Sequence, residues 1–283
     1  MIHARDFLTL PVGLVLALGP AAAFAQPRPA AGGAAAFPWP DGRKAALSLT
    51  FDDARESQVD VGIPLLNELG VRATFYVLPE GARKRLAGWK AAAATGHEIG
   101  NHTNTHPCTG NFAFSRENAL EDYTLERIER DAAEASLFVS RELGREATSF
   151  AYPCGQTFVG RGDGVKSYAP LVARAFRTGR LYLGEDSNDP AFCDFAQLLA
   201  VGFDGLSFED VRPLVDKAAA EGRWLILAGH EIGESGPQTT RAATLAALCR
   251  YAKDPKSGLW IDTVDAVSAH VRRTRDGDSP KPR

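Results

Sequence analysis

The chain has 283 residues, 45% of them hydrophobic and 24% charged, a globular composition that excludes wholesale disorder. Its 32 basic and 35 acidic side chains give a net charge of −3. That balance excludes a general polyanion binder, because phosphate contact needs a basic surface, and no nucleic-acid partner is expected.

Residues 1–25 read as an export signal: Arg5 near the start, an apolar stretch from Leu8 to Leu18, and small residues at Ala23 and Ala25 before Gln26. The stretch is too short to span a bilayer as a helix, and no second run approaches membrane length. The expectation is an exported protein, periplasmic or secreted, with no stable membrane insertion after cleavage. Residues 26–40, rich in Ala, Pro and Gly, read as a flexible leader, and 276–283 as a frayed tail. One folded unit is expected over 41–275.

Within it, strand and helix patterns alternate. Ala46 to Phe51 is a short apolar run read as a buried strand, and Val59 to Leu69 has helical spacing ended by Gly70. A strand over Ala73–Leu78, a helix over Arg83–Thr95 and a strand over His97–Asn101 follow. A long amphipathic helix is expected from Leu120 to Leu143, stopped by Gly144, and then a strand over Ser149–Tyr152. Tyr168–Phe176 reads as a helix, and Thr178–Leu183 and Leu198–Phe203 as strands. Phe208–Ala220 is a helix and Trp224–Ala228 the clearest buried strand. Helices over Thr239–Tyr251 and Val264–Arg273 enclose a strand at Leu259–Asp262. This alternation predicts an α/β fold, a distorted or incomplete (β/α) barrel of seven to eight βα units. The alternative is an open doubly wound sheet, disfavoured because no Gly-x-Gly-x-x-Gly follows the first strand.

A barrel gathers the residues after its strands at one mouth. Those residues form one chemical set: Asp52 and Asp53, His102 and His106, Tyr152 to Gly155, and His230. Taken singly each is ambiguous. Adjacent acids are as easily a turn or a helix N-cap, and His230 a satisfied core histidine. Histidines four apart share one face of a helical turn and can share a metal. Together they permit metal-assisted hydrolysis: His102, His106 and one carboxylate as ligands, the other carboxylate as base, and His230 as acid. A backbone N–H near Pro153–Gly155 would hold the oxyanion.

Thr50-Phe51-Asp52-Asp53, His102-Thr103-Asn104-Thr105-His106, Tyr152-Pro153-Cys154-Gly155 and Leu227-Ala228-Gly229-His230 resemble, in order, the motifs of the polysaccharide deacetylases, the carbohydrate esterases related to chitin and peptidoglycan deacetylases. The resemblance implies a distorted (β/α) barrel that removes N- or O-linked acetyl groups from a carbohydrate. It implies Asp52 as base, Asp53, His102 and His106 as ligands of zinc or a similar divalent ion, His230 as general acid, and the Cys154 N–H as oxyanion donor. Two positions depart from the pattern. The family's third motif commonly begins with Arg where this chain has Ala151, with Arg177 or Arg180 as substitutes. The family's Asp-x-x-Asp-Trp, which supplies an acid for the late histidine, is only partly matched by Asp186-Ser187-Asn188-Asp189-Pro190.

Cys108 and Cys154 come together if both motifs sit at the mouth; four cysteines allow three connectivities, and free buried thiols are the alternative. Trp89, Trp224 and Trp260 read as core, and Trp39 as a residue that packs against the barrel. Phe112, Phe114, Tyr123 and Phe158 beside the motif loops read as packing residues, with stacking on sugar rings as the alternative. The Gly160–Gly164 stretch reads as a flexible rim loop. Two other functions fit the residues: hydrolysis of a small cyclic amide or formamide on the same scaffold, and a silent glycan-binding module, which the retained Asp52 and His230 disfavour. The oligomeric state is not legible.

Overall fold

The run Ala45–Asp52 forms β1, with all eight residues buried, as expected for a strand of a parallel sheet covered on both faces. The computed structural model describes residues 36–277. The export segment 1–25, leader residues 26–35 and tail residues 278–283 lie outside the described residues. After β1, the first half of the chain holds α1 (Ile63–Glu68), β2 (Thr74–Val77), α2 (Pro79–Arg83), α3 (Leu86–Ala94), β3 (Glu98–Asn101), α4 (Leu125–Leu143) and β4 (Ser149–Ala151). A small hairpin, β5 (Phe158–Val159) and β6 (Lys166–Ser167), precedes α5 (Ala169–Ala175), β7 (Thr178–Arg180) and β8 (Val201–Gly202). Then come α6 (Phe208–Glu221), β9 (Trp224–Gly229), β10 (Glu231–Gly233), β11 (Thr239–Arg241), α7 (Ala242–Lys253), β12 (Leu259–Ile261) and α8 (Val264–Arg275).

The main sheet is parallel throughout and runs β7-β4-β3-β2-β1-β9-β8, with β12 also against β1. β9 lines one edge of β1 from Ala46 to Phe51, while β12 pairs Ala45–Leu47 and β2 pairs Thr50–Asp52. At the far end Arg180 forms a parallel bridge with Leu198, on the segment that leads into β8, so the sheet curls back on itself. This is the distorted (β/α) barrel expected from the alternating pattern.

Alternation along β1 decides which side chains reach the site. Leu47, Leu49 and Phe51 face the helices and pack with Leu66, Val215, Leu245 and Leu248. Burying side chains of this size contributes about 1.5–3 kcal/mol each, which fixes the strand end in place. Ala46, Ser48, Thr50 and Asp52 lie on the inner face, where Trp224 Nε1 donates to Ser48 Oγ (3.0 Å) and Thr50 Oγ1 to the Leu227 carbonyl (2.8 Å). Asp52 ends this polar stripe at the mouth. At the chain's described start Trp39 is buried and donates its Nε1–H to the Gly222 carbonyl (3.0 Å). Among the described residues no helix is long and apolar enough to cross a membrane.

Several boundaries shift for local reasons. The long helix starts at Leu125, not Leu120, because Thr124 caps it by accepting from the Arg127 N–H (3.2 Å), and Leu120–Asp122 form a separate 3-10 turn. Its stop at Gly144, in the left-handed region, is as expected. The helix expected from Thr239 begins at Ala242, since Thr239–Arg241 pair with Glu231–Gly233. The helix expected over Arg83–Thr95 is α3, Leu86–Ala94, with the separate short helix α2 before it, and the one from Val59 opens with a π-helical turn over Gln58–Gly62.

Candidate active site

Beyond β1 the chain turns through two left-handed residues, Asp53 (φ 76°) and Ala54 (φ 55°). Gly81 presses on this turn: a Cβ there would lie 2.5 Å from the Asp53 carbonyl oxygen. The turn sends Asp52 and Asp53 to different partners. Asp53 Oδ2 accepts from Arg55 Nε (3.1 Å) and Nη2 (2.9 Å). Asp53 Oδ1 is buried with no hydrogen-bond partner among the described residues, and faces His102 Nε2 at 3.4 Å and His106 Nε2 at 3.5 Å. Burial pushes the Asp53 carboxyl up, but the imidazoles of His102 and His106 beside it, with His230 beyond, outweigh burial and hold it well below the usual carboxylate range.

The two histidines do not share a helical turn, contrary to the expectation from their spacing. His102–His106 is an irregular loop with Thr103 (φ 66°) and His106 (φ 51°) in the left-handed region. Side chains replace helical bonding. Asn101 Oδ1 accepts from Thr103 N (2.7 Å), Thr103 Oγ1 from His106 N (3.0 Å), and Asp131 of α4 from the Asn104 and Thr105 amides and the Thr105 hydroxyl. The rings still converge, with centroids 4.8 Å apart. His102 Nδ1 lies 2.9 Å from the Ala151 carbonyl; as that oxygen only accepts, Nδ1 carries the proton and Nε2 offers its lone pair. Burial, then the neighbouring His102, lowers the His106 pKa to about 4, so the His106 ring is neutral at neutral pH. Two imidazole nitrogens and an unpartnered carboxylate oxygen fit a divalent cation.

Asp52 is held from across the barrel. Arg180 Nη2 donates to both its carboxylate oxygens, to Oδ2 at 2.6 Å, while Nη1 donates to the Leu181 carbonyl (2.9 Å). Ala151 and Arg180 are register partners on β4 and β7, so the guanidinium absent at 151 arrives from the adjacent strand at the same level. Arg177 is bonded instead to Asp265 on the surface.

His230 follows β9, and its Nδ1 is 2.7 Å from Asp204 Oδ2. Asp204 Oδ1 accepts from Thr240 Oγ1 (2.7 Å) and the His230 amide (3.2 Å). Burial pulls the His230 pKa down, but the Asp204 hydrogen bond and the charges of Asp52, Asp53 and Asp204 raise it overall. Gly229 leaves room for the pair: a Cβ there would lie 2.2 Å from Thr240 Oγ1 and 2.9 Å from Asp204 Oδ1. Asp186, the nearest sequence match for this acid, is bound at the surface by Lys217 and Arg223. Gln58, which carried no sequence signal, ties the two strand ends together by donating to the Asp52 (2.6 Å) and His230 (2.8 Å) carbonyls.

Asp52, Asp53, His102, His106 and His230 line one cleft of about 680 Å³, with Cys154, Tyr182, Phe112 and Phe114. Cys154 is joined to Cys108, as one of the three connectivities had it, and no acceptor among the described residues takes its backbone N–H. Cys193 and Cys249 are free.

Residues 40–166 match the polysaccharide deacetylase family profile. Over this stretch the chain resembles a polysaccharide deacetylase domain. The chain is 43% identical over 65 residues to a peptidoglycan-N-acetylglucosamine deacetylase of Bacillus cereus, a stretch covering 23% of this chain and 24% of that protein. It is 31% identical over 132 residues to a gellan lyase of a Bacillus species, covering 46% of this chain and 5% of that protein. The chain thus spans at most about a quarter of either curated relative. In fold, the chain matches a crystal structure of a candidate polysaccharide deacetylase from Mycobacterium smegmatis, with a TM-score of 0.61 at 19% identity over 88% of this chain and 97% of that one. At the rim of the cleft Phe112 and Phe114 are exposed and parallel, with centroids 5.4 Å apart, whereas Tyr123 and Phe158 pack into a side cluster.

Proposed function

We propose that this chain is a metal-dependent hydrolase that removes N- or O-linked acetyl groups from a glycan outside the cytoplasm. The observation that carries the reading is the Asp53 Oδ1, unpartnered among the described residues, facing two imidazole nitrogens and flanked by two separately anchored proton-transfer groups. Asp53, His102 and His106 would hold zinc or another divalent transition metal. Such an ion, when bound, supplies Lewis-acid polarisation of water and of the acetyl carbonyl.

The remaining roles belong to the chain's own groups. Asp52 accepts the proton of the attacking water, and Arg180 holds both its oxygens in place. Cys154 lines the cleft and its N–H has no acceptor among the described residues; it donates to the oxygen that becomes negative. His230, with Nδ1 on Asp204, presents Nε2 to the leaving amine or alcohol and gives it a proton. The products are acetate and the free sugar amine or hydroxyl. The exposed Phe112–Phe114 pair gives a sugar ring an apolar face at the rim. A Cys108–Cys154 disulfide suits an oxidising compartment, which favours export.

The test is acetate release by the full chain from chitooligosaccharides, peptidoglycan and acetylated xylan. Release should stop on chelation and return with zinc. Protein whose zinc content is confirmed by elemental analysis, yet releases acetate from none of them, refutes the proposal.

A further inference from the structure

His106 belongs to two ligand clusters at once. Among the described residues two groups of three donors have their ligand atoms within 4.8 Å of one another: Asp53, His102, His106 and, on the other side of the same ring, His106, Cys108, Cys154. His106 Nε2 faces Asp53, while Nδ1 lies 3.8 Å from Cys108 Sγ. The disulfide closes the second cluster, and it ties the loop carrying His106 to the loop carrying the Cys154 N–H, 46 residues on. Both loops pass through a non-glycine left-handed residue beside the bridge, His106 (φ 51°) and Cys154 (φ 53°), conformations that persist only where the surroundings enforce them.

The geometry points to a second, sulfur-rich metal site, formed when this disulfide is reduced, that takes a thiophilic cation such as Zn2+ or Cd2+ on Cys108 Sγ, Cys154 Sγ and His106 Nδ1. The reductant is a dithiol. One of its thiolates attacks Cys154 Sγ, which borders the cleft, while Cys108 is fully buried. The Sγ–Sγ bond breaks, and Cys108 leaves as a thiolate that takes up a proton. The dithiol's second sulfur then displaces Cys154, so the reductant ends as a disulfide and its two protons end on the two cysteines. In the oxidised chain the sulfurs are spent on each other and make poor ligands; reduced, they are soft donors beside an imidazole. A neutral imidazole has one lone pair, so a cation that takes it at Nδ1 withdraws His106 from Asp53 and His102. Reduction thereby exchanges one centre for the other.

The claim rests on the proposed function only for the shared His106, and its test reads the sulfur site directly. Full-length protein, oxidised or reduced with a dithiol and desalted anaerobically, is titrated with Cd2+ and followed by ultraviolet absorption. A sulfur-to-cadmium charge-transfer band should rise to one equivalent in the reduced protein and be absent from the oxidised one. It should vanish in Cys108→Ser with Cys154→Ser, whose folding is checked by circular dichroism. In the parent, Cd2+ after reduction should lower any metal-dependent acetate release about tenfold or more, reversed by reoxidation, in line with losses seen when ligand environments are disturbed. Reduced protein without the band, or a band that survives in the double variant and so belongs to Cys193 or Cys249, overturns the second site. Absence of acetate release from oxidised, zinc-loaded protein counts against the hydrolase reading alone.

Discussion

Replacing Asp204 with Asn is the sharpest test of the proton-transfer roles. The amide keeps the shape of the carboxylate and can keep its oxygen on the Thr240 hydroxyl and the His230 amide, the two donors at Oδ1. Its NH2 then meets His230 Nδ1, which faced a carboxylate oxygen at 2.7 Å. Nδ1 becomes an acceptor, the imidazolium loses its counter-charge, and the ring stays neutral. A hydrogen bond to a charged group is worth about 1.5–3 kcal/mol, or roughly ten- to hundredfold in rate. The sign follows from the raised pKa of His230, to which burial contributes a lowering and Asp204 the first of the raising causes. An acid that must be protonated loses activity as pH rises through its pKa, so Asp204→Asn should move the alkaline limb of kcat/KM for acetate release to lower pH. It should also cut the rate ten- to hundredfold on the plateau. Thr240→Val, which removes one neutral donor from Asp204, should move the limb less. An alkaline limb in Asp204→Asn that coincides with the parent's would refute His230 as the acid tuned by Asp204.

Asp52→Asn should retain metal but lose most turnover, whereas Asp53→Asn and His102→Ala should lose the metal by elemental analysis; the reverse pattern would exchange the roles of the two acids. Arg180→Met leaves the Asp52 carboxylate buried and unpaired, which should cost about 3–5 kcal/mol in urea denaturation, against less than about 0.5 kcal/mol for the exposed Arg177→Met. Equal losses for the two arginines would remove Arg180 from its assigned place. His97 is held neutral, its pKa lowered to about 4 chiefly by burial, and its Nδ1 accepts the Ala73 N–H at 3.1 Å. Its folded pKa lies below the ordinary value of 6.5, so the folded state binds fewer protons between the two, and stability should fall as pH drops from about 6.5 to about 4. His97→Gln should flatten that fall in denaturation series across this window.

The alternating strands and helices made the barrel legible, and the rule that polar residues collect after barrel strands made most of the site legible. That rule reaches further than the motifs: Asp204 directly follows the expected strand Leu198–Phe203, yet the motif comparison pointed instead to Asp186. The expected helical pairing of His102 and His106 failed because spacing of four carries no information about backbone once side chains such as Asn101, Thr103 and Asp131 take over the amides.

By itself the sequence determined which residue types stand at the strand ends, because hydrophobic periodicity and its interruptions are local properties of the chain. Only the tertiary structure decided how they are held. Arg180 serves for the arginine absent at Ala151 because strand register sets the two residues side by side across 29 positions of sequence. Asp204 meets His230 because β8 and β9 are neighbours in a sheet that curls, and Cys108 meets Cys154 because adjacent strands deliver their loops to one mouth. Such contacts depend on which strands pair and in what register, and pairing is a property of the closed sheet as a whole.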